Sequence, residues 1–280
     1  MPDIWGLAGI AAKFAIYLGV LTSAGMVFVS LLFQVAITWR LPMLFAMLAL
    51  VATAFGFSLG GAALTGDVGG MVDPEMLALL WSTSAGTAVA YRVVGLILLI
   101  AGLAFGRSGM WISTLGGGLA LWSFTTVGHI PDRGTLWLDG LLLVHLAAIA
   151  VWVGVLIPLK RMIDQSYADA ADLAVRFGKL ASVFVPLLLA AGLVMGFVLV
   201  GSVTALVGTG YGQALLLKTA AVAALLTLAA LNKMRFVPLL SGGDAAAAQH
   251  LSRSISYEWI AVLFILLMTA ILTSVLTLPE

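Results

Sequence analysis

Eight long apolar runs constrain this chain more than any other feature. A helix needs roughly 20 predominantly apolar residues to cross the hydrocarbon core of a bilayer. Runs of about that length lie at about 5–34, 41–64, 87–105, 110–130, 138–159, 180–206, 213–232 and 255–278. Composition closes off the alternative of a soluble domain. Hydrophobic residues make up 62% of the chain and charged residues only 9%, against about 25% charged in ordinary globular proteins. The expected fold class is all-α, a polytopic membrane helical bundle of eight transmembrane helices. It reads as a single transmembrane domain over residues 1–280, with no separate soluble domain and no internal repeat.

Charge placement orients the bundle. The segments after runs 1, 3, 5 and 7 hold Arg40, Arg107, Lys160, Arg161, Arg176, Lys179, Lys233, Arg235 and Arg253, nine of the 13 Lys and Arg. The alternate segments hold Asp67, Asp73, Glu75, Asp132 and Asp139, with Arg133 as their basic residue. Basic loops stay cytoplasmic, so both termini are expected to face outward. The opening MPDIWG lacks a basic leader and a small-residue cleavage site, which argues against a removable signal peptide. In the outward loop 65–86 a short helix is expected from Pro74, capped by Asp73. Residues 162–179 read as a polar amphipathic continuation, and SGGDAAAAQH (241–250) as a flexible cytoplasmic loop.

The chain has no cysteine, which excludes disulfides, iron–sulfur clusters and thiolate metal sites. Phosphate-binding glycine loops, a nucleophile elbow and an HExxH pair are also absent, and nothing in the charge pattern suggests nucleic-acid binding. The chemistry must come from polar groups inside the spans, where ionisable residues are costly and mark function by default. Five stand out: Lys13, Arg92, His129, His145 and Lys218. Counted at about 1.5 Å per residue, all fall in the outer half.

His129 and His145 flank the short connection IPDRGTLW (130–137), so their helices must be antiparallel neighbours. Two imidazoles near one mouth can converge on a copper ion or another borderline metal; a helix-packing hydrogen bond is the competing explanation. Trp152 lies two turns below His145 and Trp122 two turns before His129, as core packing or as an aromatic floor beneath a site. Gly154 is expected to admit a neighbouring helix closely. Met71 and Met76, in the outward loop, are the better candidates among the methionines for a soft ligand. Lys13, Arg92 and Lys218 either snorkel to the interface, pair with carboxylates, or hold an anionic group such as a haem propionate or lipid phosphate. His250 falls in the polar 241–250 loop and is assigned no role.

GHIPDRG followed by LLLVHLAAIAVWVGVLIPL, then the 176–236 run with Gly208, Gly210, Gly212, Lys218 and Asn232, and the closing LSRSISYEWIAVLFILL, resemble the CopD family of bacterial copper-resistance and copper-uptake membrane proteins. The resemblance covers about residues 85–278. It implies transport or delivery of copper ions at the inner membrane, alongside a periplasmic copper carrier expected here as a separate chain.

Two active functions are therefore weighed, beside that of a structural membrane partner with no site of its own. One is copper transport from the periplasm, with His129 and His145 capturing the ion and Met71 or Met76 loading it. The other is a haem b-binding electron-transfer protein with axial histidines and Lys13, Arg92 or Lys218 on the propionates. A helix beginning near Leu138 puts His145 about 10 Å deeper than His129, an offset that a small ion tolerates better than a haem does.

Overall fold

The computed structural model describes residues 4–128, 136–274 and 276. The described residues are mostly helical and contain no strand. The α-helices are α1 (Ile4–Phe33), α2 (Arg40–Thr65), α3 (Pro74–Trp81), α4 (Ser84–Ala104), α5 (Met110–Trp122), α6 (Leu136–Gln165), α7 (Tyr167–Val200), α8 (Val203–Gly208), α9 (Gly210–Leu231), α10 (Val237–Ser241) and α11 (Ala245–Leu272). A π-helical turn over Asn232–Phe236 joins α9 to α10 without a break.

Among the described residues, seven helices are long and apolar enough to cross a membrane: α1, α2, α4, α6, α7, the continuous α9–α10 rod, and α11. The eighth run is where structure and expectation part. The helix expected over 110–130 is α-helical only to Trp122 and continues as a 3-10 turn through Thr125. At the rises of the two helix types this makes about 25 Å, slightly less than a full hydrocarbon core. Four glycine or small-residue positions shape it: Gly95 and Gly102 of α4 and Gly116 and Gly109 beside them meet backbone to backbone, so α5 is pressed against α4 rather than standing free.

The polar continuation over 162–179 is helical, and so is most of the expected loop 241–250. Ser166 is the one non-helical residue between α6 and α7, and its hydroxyl accepts from the Asp169 amide at 3.3 Å. The 241–250 segment is corrected more sharply. Asp244 caps α11, accepting from the amides of Ala246 at 2.7 Å and Ala247 at 3.2 Å. The four alanines that follow are the strongest helix formers available, so the last helix begins ten residues earlier than the expected 255. The outer loop is as its sequence reads: Asp73 accepts from Glu75 and Met76 amides at the start of α3.

α1 is the hub, packed against α2, α5, α6 and α11. Its closest neighbour contact is with α6, where Gly25 and Gly154 cross. A Cβ on Gly154 would lie 2.1 Å from the Gly25 carbonyl carbon, and one on Gly25 would lie 1.8 Å from the Ala150 oxygen. Small residues at such crossings replace the hydrophobic drive that lipid removes. The periphery is apolar: Leu193, Phe197, Val183 and Ile260 are exposed along α7 and α11, an outer face suited to acyl chains.

Candidate functional site

His145 lies in the third turn of α6, facing α7. A Cβ on Gly192 of α7 would come 3.9 Å from its Cε1, so the ring fills the space that this glycine leaves. The Leu188 backbone lies near the ring without completing a hydrogen bond of good geometry to Nδ1, and Lys218 of α9 is the charged group whose field reaches the imidazole. Nδ1 is buried and has no partner. Asp139, in the first turn of the same helix, also has a buried oxygen, Oδ1, without a partner. Buried polar atoms of this kind are rare because each forfeits the hydration it had in water.

His129 lies outside the described residues, as do Asp132 and Arg133 of the same connection. Among the described residues no three His, Asp or Glu side chains gather as a metal cluster. His250 is the other described histidine. It stacks on Phe236 with ring centroids 5.6 Å apart, at the opposite end of the bundle from His145.

Two of the expected cations form a separate cluster where α1, α4, α5 and the end of α11 meet. Arg92 is 8% exposed, donates from Nε to the Ser123 hydroxyl at 3.0 Å, and lies over the Phe124 ring at 4.8 Å. Ser123 in turn donates to the Ala120 carbonyl at 2.7 Å. Lys13 donates to the Thr273 carbonyl, and Tyr17 shares a 3.2 Å hydrogen bond with the Thr273 hydroxyl. These contacts brace helix ends: Arg92 fixes the 3-10 end of α5, and Lys13 ties α1 to α11. Lys218 is not part of this cluster; its field reaches His145.

Met71 and Met76 are half-buried on the 3-10 turn Val68–Met71 and on α3. That loop packs on α2 and α4. Gly61 and Gly70 touch through their backbones, a Cβ on Gly61 falling 2.1 Å from the Gly70 oxygen. The methionines therefore flank a different part of the bundle from His145. Trp122 is 40% exposed at the end of α5.

Trp152 has a definite polar task. Its ring is buried in an edge-on cluster with Phe177 and Phe184, and Nε1 donates to Glu258 Oε2 at 3.2 Å. Asn232 Nδ2 donates to the other oxygen, Oε1, at 2.5 Å. Glu258 is only 4% exposed and binds α6, α9 and α11 together. Sequence reasoning missed it, because a helix starting at 255 puts Glu258 at the interface. The Asp244 cap and the alanine run were the signal that places it in mid-helix.

Residues 171–272 match the family described as copper resistance protein D, and residues 1–136 match the copper resistance protein D-like, N-terminal domain. The two matches are to copper resistance protein D-type families and lie at either end of the chain, which is similar to both. A curated relative is the copper transport protein CutJ of Bacillus subtilis (strain 168), 28% identical over 186 residues. The match covers 63% of this chain and 32% of that protein, so the chain spans about a third of the relative's length. No solved structure matches. Together with the apolar helices, the family places the chain among multi-pass membrane proteins related to copper.

Proposed function

We propose that this protein, similar to copper resistance protein D, moves copper ions inward from the periplasm across the bacterial inner membrane, through an outward-facing site that contains His145 and His129. The observation that carries the reading is the buried, unpartnered Nδ1 of His145: an imidazole at membrane depth with a free lone pair or proton is a group waiting for a ligand. Copper is the cargo that the family relation suggests. His129 begins the short connection to α6 and is the histidine that the chain can bring to the same mouth.

Lys218 fits a transient site better than a storage site. An ammonium within range of the imidazole repels a bound cation and shortens its stay, and conduction requires binding weak enough to release. Met71 and Met76 serve as surface ligands that receive copper, delivered by a separate periplasmic carrier, before it reaches His145. In this reading α5 with its 3-10 extension is the eighth crossing, and both termini lie in the periplasm, as the alternation of basic and acidic loops requires.

The test is copper accumulation in cells with copper content of the purified protein. His145→Ala and His129→Ala should each abolish both, and the double variant should be no worse than either, because residues that act as a unit are non-additive. If the two single variants differ in kind, the paired site is wrong. A Soret band in the purified protein would replace the ion by haem.

A further inference from the structure

The copper reading leaves Glu258 without a role, although it is the most deeply buried acidic side chain among the described residues at 4% exposure. Its surroundings supply two donors and no cation. Trp152 Nε1 and Asn232 Nδ2 each give it one hydrogen bond. The ion pair recorded among the described residues, Arg176 with Asp172, lies on α7. Among the described residues, no charged group on the elements packed against α11 pairs with Glu258. Lys160 of α6 donates to Ser256, and Lys233 of the π turn donates to Ser182. Arg235 of that turn is exposed, and Lys13 of α1 is held at the far end by Thr273. His145 of α6 and Lys218 of α9 lie nearer the other end, in the third turn of each helix. On α11 itself Arg253 and Tyr257 are exposed.

One unfilled valence identifies what the site takes. Asn232 Oδ1 is buried and has no partner, although the same amide donates to Glu258 through Nδ2. A proton on Glu258 satisfies it: the carboxyl O–H then donates to Oδ1 while the amide N–H donates to the carbonyl oxygen, a closed acid–amide pair. The oxygen facing Trp152 still accepts the indole N–H. An ionised carboxylate leaves Oδ1 orphaned and stands in an apolar interior with no counter-charge. Asn232 opens the π-helical turn, an irregularity that recurs at functional sites.

Two further polar groups lie on the same helix between Glu258 and its exposed end. Ser254 and His250 precede Glu258 by one and two turns on one face of α11, spanning about 12 Å. Ser254 Oγ is buried without a partner. His250 is exposed at the basic end of the bundle, stacked on Phe236 at the close of the π turn. We propose that Glu258 is an intramembrane proton-binding site, paired with Asn232 and served from the basic end through Ser254 and His250, whose loading and release accompany copper movement. The second half of this rests on the copper reading above. The step transfers a proton only: the Glu258 O–H bond breaks, the proton passes by way of the Ser254 hydroxyl and bridging water to the His250 imidazole, and no electrons move.

The test uses the full chain in phospholipid vesicles. Infrared spectra at neutral pH, with glutamate carrying a heavy-carbon carboxyl label, should show a protonated carboxyl carbonyl band that shifts with the label. The other glutamates, Glu75 and Glu280, are removed as sources by E75Q and E280Q. Absence of the band in the wild type overturns the proton site, whatever E258Q does. E258Q should lose the band while keeping the Asn232 contact. With a pH-sensitive dye inside the vesicles, external copper should produce an internal pH change in the wild type and none in E258Q, and H250A should slow it at least tenfold. Copper entry in the wild type with no pH change overturns the coupling. No copper entry at all refutes the copper reading and with it the coupling, while the infrared band still decides the proton site.

Discussion

Gly154→Ala tests whether the α1–α6 crossing is what holds the candidate site in place. The added Cβ would fall 2.1 Å from the Gly25 carbonyl carbon, 2.3 Å from its oxygen and 2.6 Å from the Met26 nitrogen. All three are backbone atoms in a 30-residue helix, so no rotamer change relieves the clash. Ordinary contact begins at 3.4 Å, and the helices must part by about 1 Å along their closest line. Overpacking of this kind costs about 3 kcal/mol, the upper end of the usual range. Gly118→Ala is the control, since its Cβ would meet nothing within 4 Å and the alanine gains helix propensity of up to about 1 kcal/mol. Thermal unfolding of the purified protein in detergent should therefore separate the two, with Gly154→Ala lower in Tm and Gly118→Ala equal to or above the wild type. Gly25→Ala should resemble Gly154→Ala, and the double variant should cost less than the sum, because the first substitution opens space for the second. If Gly154→Ala unfolds with Gly118→Ala, the close crossing is not a feature of the folded protein, and the placement of Trp152 two residues earlier fails with it.

Three further outcomes are expected. Lys218→Met keeps the length of the side chain and removes its charge; retained copper in purified protein should rise and cellular uptake should fall, whereas no change in either assigns Lys218 to interfacial snorkelling. Trp152→Phe keeps the ring contacts with Phe177 and Phe184 but strips one donor from Glu258; a loss of about 1 kcal/mol, read as a lower Tm, is predicted, and an unchanged Tm argues that the bond is not formed in the membrane. A reporter fused after Glu280 and active only in the periplasm supports the outward termini; activity in the cytoplasm inverts the bundle and moves His145 to the inner face.

Much of the architecture was legible because lipid is a simple solvent. A helix that must pair its own backbone groups and present apolar side chains writes itself into sequence as a run of the right length, and seven of the described helices follow such runs. Asp73 before Pro74 gave the α3 start for an equally local reason, a carboxylate accepting from the next two amides. The start of α11 was legible too, in Asp244 and four alanines, but was hidden by the habit of reading small polar residues as loop. Of the candidate site, the sequence marked His145, Lys218, Lys13 and Arg92 as groups that do not belong in lipid.

Which of those groups meet was decided only by tertiary structure. Lys13 and Arg92 look equivalent to Lys218 along the chain, each about two turns into a span. Packing sends the first two to helix-end hydroxyls and carbonyls and leaves Lys218 within electrostatic range of His145. Glu258, Asn232 and Trp152 come from three helices far apart in sequence and are joined by hydrogen bonds that no periodicity encodes. The sequence by itself determined the solvent, the helices and the inventory of costly groups, because burial in lipid is a property of one segment at a time. The pairing of those groups depends on which helix faces cross and at what depth, set by the Gly25–Gly154 approach and its neighbours, and that is a property of the whole bundle.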